Sequence, residues 1–208
     1  FREKGFVTIP SVLEDVEVEF YRELLKDAIK ERKQLDKRQL SEKSLYEQSF
    51  IQCQNLWEDF KDIRELTFDQ RIAGIAAKLL GVDRLRIWHD QALIKESGGR
   101  ETDTHHDASY WPIKETNTIT AWIPMVAISE HNGHMGFFSG THKVKEKRFI
   151  NIFKGKVGQE ELDKLPQLKG LRPEYVDLKP GDVSFHHGLT FHNAKPNLSS
   201  EDRPVHTI

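Results

Sequence analysis

The spacing of apolar residues changes at Gly81, and this change constrains the fold more than any other feature of the sequence. Before Gly81, apolar side chains such as Val16 and Phe20 recur every three to four residues, which predicts amphipathic helices up to about residue 35 and over about 60–80. After Gly81 the apolar runs are short and are separated by Gly, Pro and Asn, as in strands. Helices followed by strands favour an antiparallel sandwich or barrel with helices packed on its outside.

The strand-like runs are RLRIWHDQALIK, NTITAWIPMVAI, HMGFFSG, EYVDL and GDVSFHHG, and FREKGFVTIPSVL predicts one more short strand near the start. Residues 143–172 interrupt them with a segment rich in Lys and Gly, in which QEELDKL predicts a short helix. This segment is too long for a hairpin turn, so we expect a lid or a surface excursion. We interpret 1–208 as one domain with a helical part over 1–80 and strands over 81–208.

Composition limits the class of protein and its partners. Charged residues make up 31% of the chain, the hydrophobic set makes up 37%, and the formal net charge is -2. These values predict a soluble globular protein and give no reason to expect nucleic acid or a membrane as a partner. Cys53 is the only cysteine, so no internal disulfide can form and a cytoplasmic setting is expected. We expect a small-molecule substrate and a monomer or homodimer.

The stretch HHDASYWPI contains a candidate metal site. His105 and Asp107 are separated by one residue, so a strand would place them on one face and His106 on the other. An imidazole beside a carboxylate forms two-thirds of the facial triad that binds non-haem Fe(II). The distant stretch GDVSFHHGLTFHNAKPN offers three further histidines, His186, His187 and His192. Spacing does not choose among them, although His192 lies at a strand end, and the other two are expected to be packed or hydrogen-bonded imidazoles.

Several motifs together resemble the phytanoyl-CoA dioxygenase family. They are EKGFVTIPSVL at the start, then HHD with ASYWPI, TAWIPM, NGHMGFFSGTHK, GDVSFHHGLTFHNAKPN and DRP. Their order and spacing carry the resemblance, which covers nearly the whole chain apart from 36–50 and the lid. It implies a mainly β fold, a double-stranded β-helix (a cupin-like jelly roll), with the N-terminal helices against one sheet.

The resemblance also implies a set of cofactors and the residues that bind them. Members of the family use Fe(II), O₂ and 2-oxoglutarate, and the matching iron ligands here are His105, Asp107 and His192. Arg203 follows the last of these by eleven residues, at the position of the arginine that anchors 2-oxoglutarate. A guanidinium suits this role because it can bind a carboxylate through two parallel hydrogen bonds. Trp122 matches a tryptophan that lies near the co-substrate in relatives.

Three further residues are candidates for contact with co-substrate or substrate. Gln91 and Lys95 share one face of the HDQALIK strand, where similar proteins carry a polar residue that touches either molecule; Lys95 is equally expected as a charge at the rim. Thr120 shares the face of Trp122 and can offer a hydroxyl to the same pocket. Ala194 departs from the family, because relatives often have a serine there that assists the arginine.

The implied reaction is hydroxylation of a small molecule coupled to decarboxylation of 2-oxoglutarate to succinate. Asp107 favours hydroxylation over the halogenation found in relatives that lack this carboxylate. Tyr110, Trp111 and Phe185 are expected to form aromatic walls for an apolar or cationic molecule. Two alternatives stay open: a cupin-type dioxygenase or isomerase that does not use 2-oxoglutarate, and a non-catalytic ligand-binding relative. Arg203 argues against the first, and the intact triad argues against the second.

Overall fold

The chain folds into two facing antiparallel sheets with helices on the outer face of the larger one, in a computed structural model that describes residues 1–34, 36–144, 150–153, 162–166 and 168–208. The mainly β class with N-terminal helices is as predicted. Within the described ranges, none of the helices is both long enough and apolar enough to cross a lipid bilayer.

The strands divide between two sheets. They are β1 (Phe6–Ile9), β2 (Ile51–Gln54), β3 (Gln91–Lys95), β4 (Thr102–His105), β5 (Ile119–Pro124), β6 (Met135–Phe137), β7 (Glu174–Val176), β8 (Val183–His187), β9 (His192–Ala194) and β10 (Arg203–Thr207). The six-stranded sheet, here the major sheet, has the order β1-β8-β5-β10-β3-β2. The four-stranded minor sheet has the order β4-β9-β6-β7. The pairings are antiparallel throughout, as in a jelly roll.

The helices cover the outer face of the major sheet. They are α1 (Asp15–Lys33), α2 (Leu56–Asp59), α3 (Lys61–Thr67) and α4 (Gln70–Leu80), and short 3₁₀ turns occur at Leu40–Glu42, Asp107–Ser109 and Thr141–Lys143. Leu25 of α1 and Leu66 of α3 are fully buried in one cluster with Ala92, Ile123 and Phe185 of the sheet. This apolar layer supports the major sheet from behind and leaves its opposite face for the minor sheet.

A second apolar cluster fills the space between the two sheets. Trp122 of β5 and Val205 of β10 meet Met135 and Phe137 of β6 there. Phe6 of β1 stacks on Phe137 with ring centroids 4.6 Å apart. These contacts fix the separation of the sheets, and therefore the separation of polar side chains that lie beside them on the same faces.

The division into a helical part over 1–80 and strands over 81–208 is wrong at one point. β2 lies between the helices and pairs with β3 along its whole length. Its sequence, IQCQ, is too short to show a clear alternation, and the strand forms because β3 offers an edge to pair with. The helical region predicted over about 60–80 consists of two helices, because Asp69 has a non-helical backbone and caps the second.

Much of the predicted lid, at 145–149, 154–161 and 167, lies outside the described residues, and so does the start of the QEELDKL helix. The described part packs onto the minor-sheet side of the molecule. Leu162, Leu165 and Leu168 are buried against Phe138 and Phe191.

Replacing Asp69 with alanine should lower the free energy of unfolding by about 1 kcal/mol, because its carboxylate accepts hydrogen bonds from the backbone N–H groups of Arg71 and Ile72. Asp69→Asn keeps the acceptor and should retain most of the stability, since the exposed ion pair with Arg71 contributes little. Urea denaturation of both variants measures the difference. Equal losses in the two variants would show that the cap is unimportant.

Candidate functional site

Three potential metal ligands converge between two neighbouring strands of the minor sheet. His105 ends β4, His192 begins β9, and the two are directly opposite each other in the β4–β9 pairing. Asp107 follows two residues after His105. Its Oδ1 lies 3.7 Å from Nε2 of His105 and 3.6 Å from Nε2 of His192. One potential ligand atom from each of the three residues lies within 4.8 Å of the other two.

As predicted, the side chains of His105 and Asp107 project to the same side, but the two residues do not belong to one strand. β4 ends at His105, and Asp107 already belongs to a 3₁₀ turn. His106 between them keeps an extended backbone, with φ -131° and ψ 139°, so the two side chains still project to one side. As predicted, His106 turns away: its ring packs edge-on against Phe191, with centroids 4.8 Å apart.

The two histidines present the nitrogen that a metal needs. Nδ1 of His105 lies 2.7 Å from the carbonyl oxygen of Asp103, and Nδ1 of His192 lies 3.0 Å from that of Thr190. A carbonyl only accepts, so each Nδ1 carries the proton and each Nε2 keeps its lone pair. Burial lowers the pKa of both imidazoles below its usual value, which favours the neutral, ligating form.

Asp107 uses its two oxygens differently. Oδ1 faces the two histidines, whereas Oδ2 accepts hydrogen bonds from Thr120 Oγ1 at 2.8 Å and from His186 Nε2 at 2.9 Å. Burial acts to raise the pKa of Asp107, but neighbouring histidine side chains, among them His186 through its hydrogen bond, hold the pKa below its usual value, so the carboxylate is ionised at neutral pH. His186 is thus a hydrogen-bonded imidazole, as expected, and its contact with Asp107 could not be foreseen from spacing.

Arg203 supplies a buried positive charge at the start of β10. Only 3% of the residue is exposed, and its Nε and Nη1 have no hydrogen-bond partner in the part of the chain that the structure describes. The guanidinium carbon lies 5.2 Å from the ring centroid of Trp122, a cation–π contact. Burial lowers the pKa of Arg203 to about 9, so it remains cationic at neutral pH. An unpaired buried cation is costly, and these free donors fit an anionic ligand such as a carboxylate.

A cavity of about 570 Å³ joins the triad to the guanidinium. Its inner wall includes Trp122, Thr120, Gln91 and Ala194, in addition to the three convergent residues and Arg203. Ala194 brings no hydroxyl to this wall. Gln91 accepts a hydrogen bond from the amide of Gln52. Aromatic side chains line much of the remainder, namely Tyr46, Phe50, Trp88, Tyr110, Trp111 and Phe153.

Two sequence predictions about this cavity are wrong. Lys95 is not a rim charge: it is fully buried, and its Nζ donates to the carbonyls of Ser49 and Arg100 at 2.9 and 2.6 Å. Phe185 lies behind the major sheet among the residues that contact the helices, because alternation along β8 gives the inner face to His186. Tyr110 and Trp111 line the cavity as predicted.

Residues within 40–54 also line part of the cavity, which the sequence motifs did not predict. Tyr46 and Phe50 reach the cavity from the polar segment before β2, and Gln52 follows on β2. The available signal was the pair of aromatic residues within a polar stretch. Gln52 accepts a hydrogen bond from the Tyr46 hydroxyl at 3.2 Å, and burial raises the pKa of that phenol to about 12.

Comparison with solved structures places this architecture among the non-haem, α-ketoglutarate-dependent enzymes with a jelly-roll core. The chain is similar to the carbocyclase SnoK from nogalamycin biosynthesis, with a TM-score of 0.84 and 27% identity over 99% of this chain and 79% of that one. It is also similar to the epimerase SnoN in complex with Fe³⁺, α-ketoglutarate and nogalamycin RO, with a TM-score of 0.77 and 25% identity over 99% and 78%.

Sequence comparison then gives the family. The Phytanoyl-CoA dioxygenase (PhyH) family matches residues 1–205, so the chain belongs to that family, within the superfamily of Fe/2-oxoglutarate-dependent oxygenases. EctD from S. alaskensis with 2-oxoglutarate and 5-hydroxyectoine shares the fold at 18% identity, with a TM-score of 0.73 over 99% of this chain and 71% of that one. No curated protein matches the sequence.

Replacing Arg203 with methionine should leave the ligand-free protein at least as stable as the wild type, because methionine fills a similar volume without a buried unpaired charge. The gain could reach about 3 kcal/mol by analogy with other buried charges that were replaced by apolar side chains. Urea denaturation tests this, with the exposed Arg84→Met as a matched control. A loss above about 1 kcal/mol would mean that Arg203 is paired within the fold rather than poised for a ligand.

Proposed function

We propose that the protein is an Fe(II)- and 2-oxoglutarate-dependent dioxygenase that hydroxylates a small molecule. The observation that carries this proposal is the convergence of two imidazoles and a carboxylate beside a buried guanidinium with free donors. Because the ligands come from the minor sheet and the guanidinium from the major sheet, the site needs both, and we propose that 1–208 acts as a single domain.

His105, Asp107 and His192 would hold the metal through Nε2, Oδ1 and Nε2. A set of two histidines and one carboxylate leaves coordination positions open, which suits non-haem Fe(II). When bound, the iron with 2-oxoglutarate and O₂ supplies the oxidation, which is coupled to release of CO₂ and succinate. The hydrogen bonds from Nδ1 of each histidine to a backbone carbonyl hold the rings in the orientation and tautomer that ligation requires.

Arg203 would bind the distal carboxylate of 2-oxoglutarate. Its guanidinium has free N–H donors inside the cavity wall, and a bidentate pair with a carboxylate would relieve the cost of burying it. Trp122 stacks against the guanidinium and limits its reorientation. Gln91, on the neighbouring strand β3, lines the same wall and is proposed to contact the co-substrate or substrate.

The two alternatives explain less of the site. A jelly-roll metalloenzyme that does not use 2-oxoglutarate gives no reason for a buried cation whose donors stay unpaired. A non-catalytic relative gives no reason for two imidazoles that aim their lone pairs at one carboxylate oxygen. The proposal accounts for both features with one metal and one dicarboxylate.

The substrate would enter past the aromatic side chains that line the cavity. Rings such as those of Tyr110 and Trp111 accommodate apolar groups and, through their π faces, cations. The nearby segment with Ile152 and Phe153 also lines the cavity, so the predicted lid region contributes to substrate contact.

Binding of 2-oxoglutarate under anaerobic conditions tests the cofactor assignment. With Fe(II), the wild type should give the weak visible charge-transfer band of the chelated keto acid. Arg203→Met should bind 2-oxoglutarate about 100-fold more weakly, because truncating one partner of a buried charge pair costs about 3 kcal/mol. Arg84→Met, which removes an exposed arginine, should match the wild type. A band with unchanged affinity in Arg203→Met would remove the assigned anchor.

Product mass tests the reaction class, because similar enzymes include a carbocyclase and an epimerase. We expect an accepted substrate to gain one oxygen atom, with one succinate released per product. A product that has lost two hydrogens would indicate ring closure or desaturation, and a product of unchanged mass would indicate epimerisation. Either result would contradict hydroxylation while leaving the cofactor assignment intact. His192→Ala, which removes a proposed metal ligand, is the control for enzyme-independent oxidation.

A further inference from the structure

We infer that His186 is a positioning residue which, together with Thr120, holds one oxygen of Asp107 so that the carboxylate binds metal through its other oxygen alone. The inference rests on the proposed function, since it concerns how one proposed metal ligand is presented. His186 itself would not touch the metal, and its effect would pass through Asp107.

His186 and Thr120 form a matched pair on the major sheet. They are directly opposite each other where β5 pairs with β8, so their side chains project from the same face. Asp107 reaches them from the segment after β4, in the minor sheet. His186 Nε2 and Thr120 Oγ1, both from the major sheet, thus donate to the same oxygen, Oδ2 of Asp107, at 2.9 and 2.8 Å.

The direction of these hydrogen bonds decides which atoms can bind a metal. An ionised carboxylate only accepts, so Nε2 of His186 carries its proton toward Oδ2 and has no lone pair to offer. The same two bonds occupy Oδ2. Oδ1 remains, and it is the oxygen that lies 3.7 and 3.6 Å from the Nε2 atoms of His105 and His192.

Packing fixes the His186 ring before any metal binds. Only 1% of the residue is exposed, and its ring lies 5.4 Å from that of Phe137 and 4.5 Å from that of His192, centroid to centroid. Phe137 in turn stacks on Phe6, which is the partner of His186 in the β1–β8 pairing. The imidazole cannot turn away from Asp107 without disturbing this core, so the donor is preorganised.

The chemical consequence concerns the number of open positions. A carboxylate that bound through both oxygens would take one more coordination position and leave fewer for a co-substrate and O₂. Holding Oδ2 on the major sheet disfavours that mode. His186 and Thr120 would therefore set the metal affinity and the coordination number together.

Metal titration of the full chain without 2-oxoglutarate tests the inference. Mn(II) binding, followed by loss of the free-ion EPR signal, should weaken by about 10–100-fold in His186→Phe, the range typical of lost outer-shell hydrogen bonds. His186→Gln places an amide N–H near the position of Nε2 and should stay within about threefold of the wild type. The matched control is His187→Phe, which makes the same change one residue along β8, where the ring faces Phe1 and His142.

Thr120 provides a second pair of variants that does not depend on whether His186→Phe folds. Thr120→Val removes the other donor and should also weaken Mn(II) binding, whereas Thr120→Ser should not. The visible spectrum of bound Co(II), which responds to coordination number, should change in Thr120→Val and His186→Phe and stay unchanged in the two conservative variants. A general loss of packing would not produce this pattern.

The outcomes separate the inference from the proposed function. If the wild type bound no Mn(II), the proposed metal site would be wrong and the inference would fall with it. If the wild type bound Mn(II) and both donor-removing variants bound it equally well with an unchanged Co(II) spectrum, the inference alone would be overturned. The same holds if the conservative variants were as weak as His186→Phe and Thr120→Val.

Discussion

The antiparallel pairing of β4 with β9 is the interaction on which the candidate site depends. It places His105 directly opposite His192, although the two lie 87 positions apart in the sequence. The carbonyl of Asp103, which orients the His105 ring, lies in β4. The carbonyl of Thr190, which orients the His192 ring, lies just before β9. A shift of one residue in this pairing would send one imidazole to the opposite face of the sheet.

The second requirement is that the two sheets stay at a fixed separation. Asp107 belongs to the minor-sheet side, whereas its hydrogen-bond donors and the guanidinium of Arg203 belong to the major sheet. The stacked rings of Phe6 and Phe137 and the burial of Trp122 hold the sheets together beside the polar groups. The apolar contacts between the sheets therefore also fix the geometry of the polar groups, because both lie in the same interface.

Much of this arrangement could be predicted from the sequence, and the rest depends on contacts between distant segments. The triad and Arg203 could be predicted because motif order and spacing carry the family resemblance. Strand alternation predicted that His105 and Asp107 lie side by side. The burial of Lys95 could not be predicted, because its partners are backbone carbonyls at residues 49 and 100. The roles of β2 and Tyr46 could not be predicted for a similar reason. The short polar strand β2 forms only by pairing with β3, and the loop with Tyr46 gains its role only by packing against the cavity.

Anomalous diffraction at the iron absorption edge can show whether His105, Asp107 and His192 hold one metal ion. Crystals grown with Fe(II) under anaerobic conditions should show a single strong peak within bonding distance of Nε2 of both histidines and Oδ1 of the aspartate. A peak bonded instead to His186, or no peak between β4 and β9, would show that these three residues do not form the metal site.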